Sequence, residues 1–366
     1  MVVIIGIILI VVYLILIITY VSGWKRTAFY KVNKAVNDTI SVVIACKNEA
    51  DNLSALFHSL MNQSYTNYEI IFVNDNSTDN TLNVLSEFSK KHPHCKVLNS
   101  TEHGKKAALK LGIENASNEK IITTDADCLH PTRWLETMSS FQQSENYSLV
   151  IGPVEFEHTN TFFNQVQIAE FQTLISSGAA MAAYNKAIMC NGANLMFLKS
   201  DWLSNYKYLH SNIKSGDDVF LLHRYKKSGK KIGFLKSVDA MVKTRSCNNL
   251  SEFFNQRKRW TSKSTYYTDF DTIATALIVL TIQIYLMVLS IMSFVTVSYL
   301  YFLLIIFLLK FIADLYFIKN TSEIYSHKTT AKTAFALAVI YPIYIIIIAF
   351  SGLFRGFNDK YRGNYQ

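Results

Sequence analysis

Asp125-Ala126-Asp127 closes the apolar run Ile121-Ile122-Thr123-Thr124, and two further signals follow it in order. One is Gly216-Asp217-Asp218; the other is Gln256-Arg257-Lys258-Arg259-Trp260, just ahead of a long apolar stretch. Carboxylates at i and i+2 where a strand ends can jointly face a divalent cation. Hard cations such as Mg²⁺ take oxygen ligands and usually keep the phosphates of a substrate in their shell. An acidic pair ahead of a helix can supply a general base, and a helical Arg a planar clamp for phosphate oxygens. A lone Asp-x-Asp recurs by chance, so the ordered set carries the weight.

The elements that must hold these residues are legible between 40 and about 235. Ile40–Ala45 reads as a strand, and Ala50–Met61 repeats apolar residues at Leu53, Leu56, Phe57 and Leu60 with helical spacing. Tyr68–Val73 is a second strand, followed by a turn rich in Asn, Asp, Ser and Thr. Thr81–Phe88 and Lys105–Asn115 read as helices, and Lys96–Leu98 and Lys120–Thr124 as strands. Such alternation with continuously apolar strands predicts an α/β fold, its mostly parallel sheet covered on both faces. Ligands in such sheets gather at the carboxyl ends of strands. Asn48-Glu49, Asn74-Asp75 and Asp125–Asp127 each lie just beyond one. Thr78-Asp79 is expected to cap the next helix.

The chain has 366 residues, half of them hydrophobic, and a net charge of +9. Val2–Tyr20 carries no charge and, at ~1.5 Å per residue, approaches the ~30 Å hydrocarbon core. Trp24, Lys25, Arg26, Lys31 and Lys34 follow as an aromatic and positive-inside flank, which places a membrane anchor at 1–22 with the next segment in the cytoplasm. A cleaved signal peptide fits poorly, because no basic residue precedes the run. Ile273–Ile318 is apolar apart from Lys310 and Asp314 and suits a helical hairpin broken near Ser293–Tyr299. Lys310 and Asp314, at i and i+4, either pair or leave Lys310 to snorkel. A last span runs from about Thr333 to Leu353 around Pro342. One span before the central domain and three after put the tail, with Arg355, Lys360 and Arg362, outside the cytoplasm. Either the charge rule is overridden there or one apolar stretch is interfacial or re-entrant. The expected division is thus an anchor at 1–22, a catalytic domain at 40–235, an interfacial segment at 236–270, membrane helices at 271–353 and a tail at 354–366. The basic segments near the membrane suit an anionic leaflet and an anionic diphosphate, and the anchor makes nucleic acid an improbable partner. Five cysteines without a C-x-x-C pair read as reduced thiols.

Several of these segments together resemble family 2 glycosyltransferases with the GT-A fold. They are Ser41–Glu49; Ser59-Leu60 with Gln63 and Tyr65; Glu69–Asp79; Gly104-Lys105 with Ala108-Leu109 and Gly112-Ile113; Gly192–Leu195; Asp217-Asp218; and Gln256-x-x-Arg259-Trp260. The likeness covers about 40–260 and extends to the flanking spans. It is similar to the membrane-embedded branch that includes cellulose, hyaluronan and poly-N-acetylglucosamine synthases and ceramide glucosyltransferases. Asn74 stands where a first Asp is common, Lys106 where a small residue is, and Gly-Asp-Asp replaces Thr-Glu-Asp. The last keeps the essential carboxylate, so it bears on subfamily.

The resemblance implies an integral membrane enzyme, in a bacterial-type inner (cytoplasmic) membrane, that takes a nucleotide-sugar donor, by resemblance a UDP-sugar, and Mg²⁺ or Mn²⁺. Asp127 with Asp125 is expected at the metal, and Asp125 also at the donor. Glu49, Asp75, Lys105 and Arg259 are expected to bind the donor, and Gln256 and Trp260 the acceptor. Asp218 is the candidate general base; it and Asp217 can divide base and helix-capping roles. Positions 256, 259 and 260 share a helix face, while Arg257 and Lys258 are expected to point toward lipid headgroups. Cys128 and His130, two soft ligands without partners, make a poor zinc site. One base and one direct displacement suffice, and no nucleophile for a covalent intermediate is apparent, which predicts inversion. About four spans are few for a polymer channel, so a lipid or lipid-linked acceptor leads, and a processive polysaccharide synthase follows. A non-catalytic membrane scaffold predicts eroded carboxylates, and none is seen; a transporter does not suit so large a soluble part.

Overall fold

The computed structural model describes residues 1–33, 36–209 and 216–353. Lys34 of the basic flank and the whole tail at 354–366 lie outside them. Helix α1 (Val2–Arg26) opens the chain. Then β1 (Ile40–Cys46), α2 (Ala50–Met61), β2 (Tyr68–Asn74), α3 (Thr81–Lys91), β3 (Cys95–Asn99), α4 (Lys105–Glu114) and β4 (Lys120–Asp125) alternate. They are followed by α5 (Trp134–Glu145), β5 (Leu149–Ile151), β6 (Val154–Phe156), α6 (Phe162–Ala182), β7 (Leu195–Leu198) and α7 (Lys199–Asn205). Next come α8 (Asp217–Lys227), β8 (Ile232–Phe234) and β9 (Val242–Thr244), and last α9 (Leu250–Thr261), α10 (Phe270–Met292), α11 (Val297–Thr321) and α12 (Ala331–Leu353). The chain divides into two compact units.

One unit, Ala28–Glu157 with Met189–Arg245, holds the sheet. Its strand order is β3-β2-β1-β4-β7-β5-β8, and β6 pairs with β9 beside it. The pairs among β3, β2, β1 and β4 are parallel, whereas β7 runs antiparallel to both β4 and β5. Ile40, Val42, Val43 and Ile44 of β1 are fully buried, as a strand covered on both faces requires. The chain winds outward from β1 through β2 to β3, then returns to lay β4 on the other side of β1. That reversal makes a topological switch point between β1 and β4, where crevices open beyond the carboxyl ends. Register brings Cys46 beside Asn74 and Ala45 beside Asp125, so the polar segments after β1, β2 and β4 start at one edge.

The other unit comprises Met1–Thr27, His158–Ile188 and the described residues from 246 onward. Four of its helices are long and apolar enough to cross a membrane: Val2–Arg26, Phe270–Met292, Val297–Ile324 and Ala331–Ser351. The hairpin breaks where expected, between Met292 and Val297. Within this unit α1 lies hard against α6, since a Cβ on Gly23 would fall 2.2 Å from the Ala180 carbonyl oxygen. Trp24 Nε1 donates to Glu323 Oε1 at 2.8 Å. Lys310 does not snorkel: its Nζ lies 2.6 Å from Asp314 Oδ2, and the Tyr13 hydroxyl donates to Asp314 Oδ1 at 2.5 Å. The uninterrupted 40–235 domain of the sequence reading differs here, because His158–Ile188 clusters with the apolar helices. The buried face of α6 carries Gln167, Glu170 and Gln172, which resembles a soluble helix until their partners are seen. Gln167 Nε2 donates to the Cys247 carbonyl at 2.9 Å, and Gln172 Nε2 to that of Ile318 at 2.9 Å.

Candidate active site

Asp125 is the last residue of β4, and the Lys105 ammonium sits 2.5 Å from its Oδ1. Lys105 opens α4, where Gly104 takes φ +107°, a conformation that spares only glycine strain. Asp75, just past β2, accepts the Gly104 N–H at 2.7 Å and so fixes the turn that presents Lys105. The same ammonium lies 3.9 Å from Asp217 Oδ2. Asp217 and Asp218 occupy the first turn of α8 after Gly216, at φ +88°, and their charge complements that end of the helix dipole. The Gly192 N–H donates to Asp218 Oδ2 at 3.3 Å. A Cβ on Gly192 would lie 3.4 Å from Asp217 Oδ2, 3.6 Å from Lys105 Nζ and 3.8 Å from Asp218 Cβ, so these three side chains surround one spot. Burial would lower the Lys105 pKa, but the Asp125 and Asp217 carboxylates outweigh it and raise it.

Asp127 lies in the turn after β4, where Thr244 Oγ1 of β9 donates to its Oδ2 at 3.1 Å. Burial, then the Asp125 charge, raises its pKa. A carboxylate whose charged form is disfavoured beside a second one fits a divalent cation, and an all-oxygen donor set fits Mg²⁺ or Mn²⁺. Among the described residues no group of three or more His, Cys, Asp or Glu could hold a metal ion. Asp125 and Asp127 would therefore hold one with water or substrate oxygens filling the rest of its shell, and Lys105 pairs with one of the two.

Glu49 follows β1, and Asn52 Nδ2 donates to its Oε2 at 2.6 Å. Burial pushes its carboxyl up to about 7, with the Asp127 and Asp125 charges adding to the effect and the Asn52 hydrogen bond opposing it. A carboxyl raised in the fold keeps its proton while the unfolded chain has lost it, so stability drains away as pH climbs from the ordinary value toward 7. Glu49→Gln should raise the melting midpoint of chelated protein by a few degrees near pH 8 and by less near pH 5. An equal gain at both pH values would refute this electrostatic cost.

Supporting residues complete the floor. Asp79, expected as a helix cap, lies one residue before the N-cap Asn80; it accepts the Thr81 N–H at 3.0 Å and that of Ala50 at 3.1 Å, which stitches the loops bearing Glu49 and Asp75. His130 is buried, and burial drops its pKa to about 3. Its ring nitrogens meet Ser59 Oγ at 3.1 Å and Thr124 Oγ1 at 2.8 Å, so it braces the Asp125–Asp127 turn as a neutral ring. Burial pushes the Cys128 thiol up, which suits a packing role. Lys106, where the resemblance expects a small residue, donates to the Leu209 carbonyl at 2.8 Å. The sequence reading missed Gly192 as part of this site, although Gly192-Ala193-Asn194 carried the resemblance. Asn194 is fully buried and ties three segments: Trp134 Nε1 donates to its Oδ1 at 2.9 Å, and its Nδ2 to the carbonyls of Pro153 and Ala240.

The sheet-bearing unit thus brings Glu49, Asp75, Lys105, Asp125, Asp127, Asp217 and Asp218 to one edge. Gln256, Arg259 and Trp260 belong to the other unit, on α9. There Arg257 corrects the expectation that it faces lipid headgroups: it is buried and paired with Glu170, Nη2 to Oε2 at 2.5 Å. A helix has two faces to spend, and this basic residue lies on the inner one because α6 supplies a counter-charge.

Comparison with known proteins bears on this arrangement. Residues 41–204 match the model of glycosyl transferase family 2. Glycosyltransferase AglE of Haloferax volcanii is 28% identical over 202 residues, which are 54% of this chain and 65% of AglE. A poly-beta-1,6-N-acetyl-D-glucosamine synthase of Staphylococcus epidermidis is 29% identical over 137 residues, 37% of this chain and 33% of the synthase. The matched region thus spans a third to two thirds of these relatives. Mannosyltransferase PcManGT from Pyrobaculum calidifontis, solved with GDP-Man and Mn²⁺, superposes with a TM-score of 0.63 at 16% identity, covering 97% of this chain and 99% of that one. This likeness bears out the GT-A fold that the motifs implied.

Proposed function

We propose that this chain, whose residues 41–204 form a family 2 glycosyltransferase domain, transfers a sugar with inversion from a UDP-sugar to a lipid or lipid-linked acceptor at the cytoplasmic face of a membrane. The observation that carries the reading is the convergence of Lys105, Asp125, Asp217 and Asp218 around Gly192, next to Asp127 and at the switch point of the sheet. Asp127 and Asp125 would hold Mg²⁺ or Mn²⁺, which would supply charge neutralisation for the departing diphosphate without a proton donor. Lys105 stands ready to exchange its carboxylate partners for donor phosphate oxygens, and Glu49 and Asp75 line the nucleotide end. Asp218 takes the proton of the acceptor hydroxyl as the new glycosidic bond forms. Arg259 clamps the diphosphate through its planar fork, while Gln256 and Trp260 receive the acceptor. The four apolar helices among the described residues suit a lipid acceptor held at the membrane.

The test is purified protein in detergent with a panel of labelled UDP- and GDP-sugars and an organic extract of membrane lipids, products resolved by size. One donor should be consumed to give a small, solvent-extractable glycolipid. A ladder of long products would replace this reading with a polysaccharide synthase, and no consumption of any donor would sink the enzymatic assignment.

The two ends of the α9 motif should separate in the same assay. Trp260→Ala should leave nucleotide affinity within about twofold while transfer falls on the order of tenfold or more, because an indole supplies apolar area under a sugar ring. Arg259→Lys should instead weaken nucleotide affinity, since an ammonium cannot reproduce the planar fork. Matching defects of both variants in both quantities would reject the division and leave α9 a structural helix.

A further inference from the structure

We propose that Glu170 is a positioning residue for the acceptor end of the reaction: through Arg257 it sets the orientation of Gln256 and Trp260. The inference rests on the acceptor role given above to those two side chains.

Glu170 lies in the middle of α6 and is 2% exposed. A carboxylate so buried is costly unless donors satisfy it. Here Arg257 gives both prongs of its fork, Nη2 to Oε2 at 2.5 Å and Nε to Oε1 at 3.2 Å. The Tyr344 hydroxyl of α12 donates to the same carboxylate. One guanidinium then has an edge and two faces left. The edge is used by Nη1, which donates to Gln256 Oε1. Aromatic rings lie against the guanidinium as well, with Cζ 4.3 Å from the Trp260 ring centroid and 4.4 Å from that of Phe253. Trp260 also tilts against Phe171, the residue after Glu170, at 6.1 Å between centroids. Both side chains assigned to the acceptor are therefore held by Arg257, and Arg257 is aimed by Glu170.

A purely structural reading would need only that α9 stay attached to α6 and α12. Apolar side chains do that at least as well, since a buried ion pair replaced by well-packed hydrophobes is often as stable or more so. Phe253, Tyr344 and Ile348 already supply such an apolar contact. What the ion pair adds is direction. A bidentate fork fixes the guanidinium plane, and that plane fixes the amide and the indole resting on it.

The test uses the full chain purified in detergent and compares Glu170→Gln, Arg257→Lys and the conservative Glu170→Asp. Three quantities are read: UDP affinity, transfer rate against amount of lipid extract, and acrylamide quenching of the Trp260 emission, taken as the difference from Trp260→Phe. Glu170→Gln and Arg257→Lys should each cut transfer on the order of tenfold or more, mainly by weakening acceptor dependence, because small misplacements near a reacting centre are that costly. Both should increase Trp260 quenching while UDP affinity holds within about twofold, and Glu170→Asp should recover part of each loss. Unchanged transfer and unchanged quenching in both variants would overturn the proposal. So would losses that only track the amount of folded protein. Should Glu170→Gln fail to accumulate, Arg257→Lys and Tyr344→Phe, which leave the carboxylate its cation, decide the matter by the same readouts. Full transfer by Trp260→Ala would instead remove the acceptor reading itself, whereas loss in Trp260→Ala beside wild-type Glu170 variants would remove only the positioning role.

Discussion

Asp127→Ala should abolish sugar transfer while membrane abundance stays at the wild-type level, and excess chelator should do the same to the unaltered protein. These are the largest effects expected. Asp127 is half-buried, its carboxylate steadied by Thr244, and burial with the neighbouring Asp125 charge disfavours its ionised form. Such a group costs the empty fold something, so its removal does not endanger folding; alanine there should leave the metal-free melting midpoint equal or higher. What is lost is charge stabilisation in the transition state, worth several kcal/mol when a bound cation supplies it. At about 1.4 kcal/mol per factor of ten, that is a fall of roughly 10³ or more. A second measurement separates binding from chemistry. Mn²⁺ with UDP should raise the melting midpoint of the wild type in proportion to the logarithm of ligand over Kd, and should fail to raise that of Asp127→Ala. Full activity in excess chelator would end the assignment of Asp125 and Asp127 to a cation.

The parts of this site that were legible beforehand share a physical cause. Parallel strands buried on both faces read as runs rich in apolar and β-branched residues, so β1, β2 and β4 end within a residue of where Ile40–Ala45, Tyr68–Val73 and Lys120–Thr124 place them. Because ligands collect beyond such ends, Glu49, Asp75 and Asp125 could be singled out by position alone. Other features depend on partners distant in the chain. Lys105 pairs with Asp125 and Asp217 across separations that leave no periodic trace. Strands β6 and β9 are three residues each, too short to show alternation, yet β9 delivers Thr244 to Asp127. Arg257 was misjudged for the same reason. A basic residue ahead of a membrane span suggests headgroups, and only the folded chain shows Glu170 waiting in a helix whose polar face resembles a solvated one. Buried polar pairs are read from their partners, and a linear pattern has none to offer.

Asp218→Asn should lower turnover by a factor on the order of 10² or more at nearly unchanged donor affinity, because loss of a general base acts on the chemical step. The geometry separates it from its neighbour. Asp217 points its Oδ2 toward the Lys105 ammonium at 3.9 Å, which would give it a share in orienting the donor. Asp218 is held by backbone as well: the Val219 N–H donates to Oδ1 at 2.7 Å and the Gly192 N–H to Oδ2 at 3.3 Å. Those two bonds aim the carboxylate, as a base needs. Asparagine keeps the shape, yet its amide cannot take a proton, so the acidic limb of the pH–rate profile should vanish with the rate. Asp217→Asn should show the reverse pattern, with donor affinity weakened through Lys105 and the acidic limb kept. If instead Asp218→Asn loses the donor while residual turnover stays high, Asp218 is a donor ligand and Asp217 becomes the base.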